Sequence, residues 1–172
     1  MSVWFAIGLL IVLISLLIIY YYYTKDTYIV RVNKHQVMEF KTAMDLTGLP
    51  IITFYQGKEK YNFLLDTGSN TSYINCKSPI EVSKTGVRDK FMGSSGEDKD
   101  CEWGTIKLYR GNAEYNCDVI IADLDAAFAE LKNSWGVSVS GLLGNNFFVK
   151  YKYCLDFKEL VAYRRSKWEI LD

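Results

Sequence analysis

The chain has 172 residues with 20 basic and 20 acidic side chains, so its formal net charge is zero. This length allows one domain with a small additional segment, and a neutral chain lacks the basic surface that nucleic-acid binding requires. Its four cysteines form no Cys-x-x-Cys pair and its single histidine is His35, so no metal or cofactor is expected. A Ser–His or Cys–His hydrolase would depend on His35. This residue lies in a polar stretch typical of a solvated surface, so a hydrolase of either class is not expected.

The start of the chain is strongly apolar. Residues 3–23 contain no charged side chain, with Trp4 near one end and tyrosines 20–23 at the other. About 20 apolar residues span the hydrocarbon core of a bilayer, and aromatic residues prefer its two interfaces. A cleaved signal peptide would need a basic start and a small-residue cleavage site, and this segment has neither. The sequence therefore predicts a transmembrane helix over residues 3–23, a single-pass membrane protein and a lipid bilayer as partner.

The charges around this segment bear on orientation. No basic residue precedes it, and four follow within about 20 residues of its end, the distance over which charge sets orientation: Lys25, Arg31, Lys34 and Lys41. Because basic residues favour the cytoplasmic side of a membrane helix, the soluble domain is expected in the cytoplasm. An N-terminal anchor can also export the domain attached to it, so an extracytoplasmic location stays open. Residues 24–48 are expected to be a juxtamembrane spacer, and the folded domain is expected to cover residues 49–165.

Short strands dominate the expected folded domain. Apolar segments bounded by turn residues predict strands over residues 51–55, 61–65, 72–75, 105–110 and 115–122. One convincing helix comes next over residues 125–134, and Gly136 is its expected C-terminal stop. The expected fold class is therefore mostly β with one or two short helices, preceded by the transmembrane helix.

The segment that ends at Asp66 carries the clearest chemical signal. Phe63-Leu64-Leu65 predicts a strand buried on both faces, so the Asp66 carboxylate would lie in a partly dry place. Such a group needs hydrogen-bond donors, and Thr67, Gly68 and Ser69 supply N–H and hydroxyl groups nearby. An apolar run followed by Asp-Thr-Gly-Ser and a short strand resembles the active-site loop of the retropepsin-like aspartic proteases. The resemblance implies a catalytic Asp66 and an active-site loop of Thr67, Gly68 and Ser69, with Ser69 a candidate donor to the outer carboxylate oxygen.

A second segment, Ser140 to Phe148, resembles the same family. That family places an apolar-apolar-Gly segment late in the domain, behind the active-site loop, with a short helix and a final hairpin after it. The resemblance implies a supporting loop of Leu142, Leu143 and Gly144, a helix over residues 147–150 and a hairpin over residues 153–163. It implies a retropepsin-like acid-protease barrel over about residues 49–164. It also implies a substrate-binding flap at Met92, Gly93, Ser94, Ser95 and Gly96.

Two carboxylates that share one proton can hydrolyse a peptide bond through an activated water. The chain has one Asp-Thr-Gly segment, so a complete site would need two chains related by a two-fold axis. The sequence thus predicts an aspartic endopeptidase, a homodimeric hydrolase of peptide or protein substrates. Two alternatives stay open. One is a catalytically inactive, membrane-tethered peptide-binding or interaction domain of the same fold, and the other is a membrane protein with an unrelated β-barrel.

Overall fold

The computed structural model describes residues 12–21, 37–92 and 98–164 of the chain. The chain divides into two units, Met1–Arg31 and Val32–Asp172. In the described part of the first unit, residues 12–21 form helix α1 and are all exposed.

The second unit is built mainly from strands. Its helices are α2 (Lys41–Thr47), α3 (Asp125–Trp135) and α4 (Asn145–Tyr151). Its strands are β1 (Met38–Glu39), β2 (Ile51–Gln56), β3 (Glu59–Leu65), β4 (Ser72–Asn75), β5 (Ser83–Met92), β6 (Asp98–Arg110), β7 (Ala113–Ala122), β8 (Gly141–Leu143), β9 (Tyr153–Asp156) and β10 (Val161–Arg164). The protein is thus mostly β.

Six of these strands close into a barrel in the order β2-β3-β8-β4-β7-β6, with Tyr55 of β2 opposite Tyr109 of β6 at the seam. Strand β5 extends the sheet beyond β6. Two pairings, β3–β8 and β4–β7, are parallel. Strand β8 therefore lies between β3 and β4, the two strands that flank the Asp66 loop. A six-strand barrel does not by itself identify the retropepsin-like family.

Aromatic side chains fill much of the barrel interior. Phe54 and Phe63 are fully buried, and their rings meet edge to face with centroids 5.8 Å apart. The Phe54 ring also meets the rings of Tyr115 and Phe147 at 5.5 and 6.2 Å. Such pairs stabilise a fold by about 0.5–1.5 kcal/mol beyond the burial of their area. The interior is therefore a packed core that holds the strands in place.

Helix α3 covers a second apolar cluster on the other face of the sheet. Leu64 and Leu142 belong to this cluster, and they point away from the interior because successive strand residues alternate between faces. Phe128 and Leu131 are the buried side chains that α3 contributes. The helix ends at Gly136, whose φ of 65° is left-handed, so the predicted helix and its stop are confirmed.

Strands β1, β10 and β9 form a separate antiparallel sheet, in which Met38 lies opposite Ala162. Both side chains are buried in the main core, together with that of Phe40. The chain therefore joins the fold at least from Met38, before the domain start predicted at residue 49. A strand of two residues is too short to leave a periodic pattern in the sequence. Residues 24–36 of the predicted spacer lie outside the described residues.

The predicted N-terminal element is also wrong. Among the helices of the described ranges, none combines the length and the apolar character needed to cross a membrane. Helix α1 is described over residues 12–21. Residues 3–11 and 22–23 of the predicted transmembrane helix lie outside the described residues. The four short helices of the described chain also exceed the one or two expected.

Candidate active site

Asp66 lies directly after β3, on the turn that leads to β4. The strand positions it, because Leu65 is buried in the barrel interior while Asp66 is half-buried at the strand end. The Asp66 N–H donates to the Leu143 carbonyl oxygen of β8 at 3.0 Å. Sheet hydrogen bonding between β3 and β8 therefore continues up to Asp66 and fixes the backbone position of this residue.

One oxygen of the Asp66 carboxylate is held by its own turn. The Gly68 N–H donates to Oδ1 at 2.9 Å, and the Ser69 N–H donates to the Asp66 carbonyl oxygen at 3.4 Å. Thr67 and Gly68 are exposed at the tip of the turn. The carboxylate is therefore oriented and also reachable from solvent, which a group that exchanges protons with a substrate requires.

Ser69 does not have the contact that the resemblance implies. Its hydroxyl donates to the Thr71 carbonyl oxygen at 2.7 Å. A serine hydroxyl has one hydrogen, so this bond occupies the donor that was expected to reach the outer oxygen of Asp66, and that prediction is wrong. The Ser69 carbonyl oxygen accepts from the Asn145 N–H at 2.8 Å. Ser69 therefore shapes the loop and ties it to α4.

The predicted supporting loop lies against the Asp66 loop. Leu142 and Leu143 belong to β8, opposite Leu64 and Leu65. A Cβ on Gly144 would lie 2.4 Å from the Thr71 carbonyl oxygen and 2.8 Å from that of Ser69. Because both oxygens belong to the backbone, no side-chain rotation could make room. The close approach of the two loops thus requires glycine at this position.

A hydrogen-bond network behind the loop was not found from the sequence. The fully buried Ser72 hydroxyl accepts from the Gly144 N–H at 3.0 Å and donates to Asn146 Oδ1 at 2.6 Å. Asn146 Nδ2 then donates to the Asp118 carbonyl oxygen of β7 at 2.8 Å. We call Ser72, Gly144 and Asn146 the Ser72 network. An Asn in the first turn of a helix is only a weak signal, because it commonly caps its own helix.

The predicted flap falls at the turn between β5 and β6. The two strands pair up to Met92 opposite Asp98, and Gly93, Ser94, Ser95 and Gly96 lie outside the described residues. Burial raises the pKa of Tyr73 on β4, and Cys101 and Asp89 of the hairpin raise it further. Strands β5 and β6 pair on either side of the predicted flap residues, and the flap itself stays a prediction.

A cleft of about 570 Å³ lies at the opposite end of β4 from Asp66. Asn75, Lys77 and Asp125 line it, and Lys77 Nζ lies 2.6 Å from Asp125 Oδ2 and 3.1 Å from Asp123 Oδ2. The Lys77 ammonium lowers the pKa of Asp125, helped by the Asn75 amide. This cleft is a salt-bridged surface feature, and it is separate from the Asp66 loop.

The described residues contain no group of three or more His, Cys, Asp or Glu side chains arranged to hold a metal ion. The ionisable group that the Asp66 loop presents is the carboxylate of Asp66 itself. Comparison of the chain with protein-family models and with curated proteins finds no match.

Proposed function

We propose that this protein is an aspartic endopeptidase that hydrolyses peptide bonds as a homodimer. The observation that carries the proposal is the orientation of the Asp66 carboxylate on an exposed turn. One of its oxygens is fixed by the Gly68 N–H at 2.9 Å, on an exposed turn that β8 and Gly144 support from behind. An Asp that accepts from the N–H two residues later also occurs at Asp156 and is a common turn, so the proposal draws equally on the Asp-Thr-Gly-Ser sequence of this turn.

The chemistry depends on two such carboxylates facing each other. One ionised carboxylate takes a proton from water, and the protonated one donates to the carbonyl oxygen of the substrate. Two like charges a few ångströms apart cannot both ionise, so the pair holds one proton, and its apparent pKa values belong to the pair. One Asp-Thr-Gly segment per chain supplies half of this site. A two-fold axis supplies the other half.

The direct test replaces Asp66 with Asn, which has nearly the same shape and cannot accept the proton of the water. We expect Asp66→Asn to abolish hydrolysis of a peptide library, with circular dichroism and thermal unfolding close to those of the wild type. The matched control is Asp45→Asn, at an exposed carboxylate on α2 that pairs with Lys41. Its activity should equal that of the wild type. Wild-type rates for Asp66→Asn would refute the proposal.

The homodimer makes a second, independent prediction. Specific activity should rise with protein concentration and fall on dilution, because the monomer has half a site. Sedimentation velocity over the same concentrations should show the dimer appearing with the activity. A protein that hydrolyses peptides equally well as a strict monomer would contradict the two-chain mechanism. A protein that binds peptides at these concentrations and cleaves none would instead be a peptide-binding domain of this fold.

A further inference from the structure

The cleft of about 570 Å³ opens where β4 and the segment that leads into β8 separate. The Asn75 N–H still joins them, because it donates to the Ser140 carbonyl oxygen at 2.8 Å. One residue later, the Cys76 N–H donates to a carbonyl oxygen of β7 at 2.8 Å. The Ser138 carbonyl oxygen accepts from Asn62 Nδ2 of β3 at 3.0 Å. The two segments therefore turn to different neighbours, and the cleft between them has the volume of a small-molecule site.

Part of the cleft lining is apolar. Phe128 of α3 and Val139 line the cleft, and both side chains are buried in the apolar cluster that α3 covers. Pro79 lines the cleft as well. Small-molecule sites combine such apolar walls with a few polar groups that fix the orientation of the ligand. The apolar residues therefore suit a ligand that has an apolar part.

One polar atom in the lining has no partner. The hydroxyl oxygen of Ser78 is buried, and of the buried side-chain nitrogen and oxygen atoms in the described chain it alone lacks a hydrogen-bond partner. The Ser78 N–H donates to the Asn75 carbonyl oxygen at 2.8 Å, so the backbone holds this residue in the lining. Because buried polar groups nearly always have a partner, the Ser78 hydroxyl is available to a group that enters the cleft.

The charged side chains of the lining differ in their pairing. Both oxygens of the Asp125 carboxylate accept hydrogen bonds, Oδ1 from Asn75 Nδ2 at 2.7 Å and Oδ2 from Lys77 Nζ at 2.6 Å. Lys132 also lines the cleft, and it makes no salt bridge with a described residue. Its charge acts within the cleft, since it adds to the effect of Lys77 and Asn75 in lowering the pKa of Asp125. The charge that the lining offers to a ligand is therefore positive.

We propose that this cleft binds a carboxylate that carries an apolar group. Ser78 and Lys132 donate to the carboxylate, and Phe128 and Val139 contact the apolar group. A single negative charge matches the unpaired ammonium of Lys132. A small free carboxylic acid and the carboxyl terminus of a peptide both have this chemistry. The site does not include Asp66, so it does not depend on the proposed function.

The test measures the binding of three probes to the full chain by NMR chemical shifts. The probes are isovalerate, N-acetylglycyl-leucine and the C-terminal carboxamide of that dipeptide. We expect the two acids to bind at millimolar concentration, and the carboxamide to bind at least about tenfold more weakly than the dipeptide acid because it lacks the charge. Tighter binding of the dipeptide acid than of isovalerate would identify a peptide terminus as the source, and equal binding a free acid. The proposal is overturned if no probe binds, or if the carboxamide binds as tightly as the acid.

A charge variant locates the binding in the cleft. Lys132→Gln should raise the dissociation constant of N-acetylglycyl-leucine roughly tenfold, because a charge-assisted hydrogen bond is lost. The matched control is Lys58→Gln, at an exposed lysine outside the cleft lining, which should bind as the wild type does. Wild-type affinity in Lys132→Gln would overturn the proposal.

Removal of the Ser78 hydroxyl separates binding from stability. Ser78→Ala should weaken binding of the same probe, but it should not lower the free energy of unfolding, because the hydroxyl has no partner in the described chain. A destabilised Ser78→Ala variant, or one that binds as the wild type does, would contradict the role of Ser78. Asp66→Asn should bind the probe normally, so this site and the proposed protease activity can each fail without the other.

Discussion

The two ends of β4 are both buried and held by side-chain hydrogen bonds, but they differ in charge and in the exposure of their partners. At its first residue, the Ser72 hydroxyl is fully buried and bonds neutral groups, the Gly144 N–H and Asn146 Oδ1. At its last residue, the Asn75 Nδ2 donates to Asp125 Oδ1 at 2.7 Å, beside the ion pairs of Lys77. The Lys77 side chain is 58% exposed.

This difference predicts at which end of β4 a mutation destabilises the fold more. A buried polar group that loses its partner costs about 1–3 kcal/mol, whereas an exposed ion pair contributes about 0–1 kcal/mol because water and salt screen it. The end of β4 next to Asp66 is therefore the costly one to disturb. Rigidity at that end would suit the proposed catalytic role of Asp66, which needs a carboxylate in a fixed orientation.

The largest expected effect is at Gly144, which bonds the Ser72 end of β4. Gly144→Ala would place a Cβ 2.4 Å from the Thr71 carbonyl oxygen, so the two loops must move apart. We expect a loss of about 3 kcal/mol or more in the free energy of unfolding, at the upper end for overpacking, measured by urea denaturation. Gly68→Ala is the comparison, since its Cβ would lie 3.2 Å from a movable side-chain atom, Asp66 Oδ1. Equal losses in the two variants would show that the backbone contact is not the cause.

Removing the Ser72 hydroxyl should have the next largest effect. Ser72→Ala leaves the buried Gly144 N–H without its acceptor, and we expect the free energy of unfolding to fall by about 1–3 kcal/mol. Because Ser72 and Asn146 share one network, their losses should not add. A double-mutant cycle with Asn146→Ala should give a coupling of at least about 0.5 kcal/mol. Strict additivity would mean that the network does not act as a unit.

The end at Asn75, whose partners Lys77 and Asp125 are exposed, should respond more weakly. Asn75→Ala removes the amide that bonds Asp125 and the oxygen that accepts from the Lys77 N–H at 3.2 Å. Water can replace both partners at the mouth of the cleft, so we expect a loss of about 1 kcal/mol in the free energy of unfolding. A loss as large as that of Ser72→Ala would remove the distinction between the two ends of the strand.

The smallest expected effect is on the titration of the exposed carboxylates. The pKa of Asp125 is lowered mainly by Lys77, and that of Asp123 mainly by the Asp125 N–H, with Lys77 second. Lys77→Gln should therefore raise the pKa of Asp125 more than that of Asp123, which NMR titration would measure. A lowered folded-state pKa stabilises the fold above the unfolded value of about 4. This stability is lost as the pH falls through the folded-state pKa. Lys77→Gln should therefore lower the free energy of unfolding near neutral pH. It should have no effect at a pH below the pKa values of Asp123 and Asp125 in the folded and unfolded states. Equal pKa changes at the two carboxylates would contradict this assignment.

Much of the local structure could be predicted from the sequence, because it depends on neighbouring residues. The apolar run before Asp66 predicted β3 and the turn after it, and the periodic apolar residues before Gly136 predicted α3. The same reasoning failed at the start of the chain. An apolar run of transmembrane length predicted a membrane-spanning helix over residues 3–23, whereas no helix of the described ranges is long and apolar enough to cross a membrane.

The remaining features were decided by the tertiary structure. Met38 pairs with Ala162, β8 inserts between β3 and β4, and Ser72 bonds Asn146 across 74 residues of sequence. The sequence by itself determined that a carboxylate comes after a buried strand and before a glycine turn. Only the folded chain determined that the Ser69 hydroxyl bonds Thr71 instead of Asp66, and that a buried serine holds the loop from behind. Periodicity records which face of an element is apolar, but it does not record which distant backbone group will lie within hydrogen-bond distance of a given hydroxyl. That depends on how the whole barrel closes.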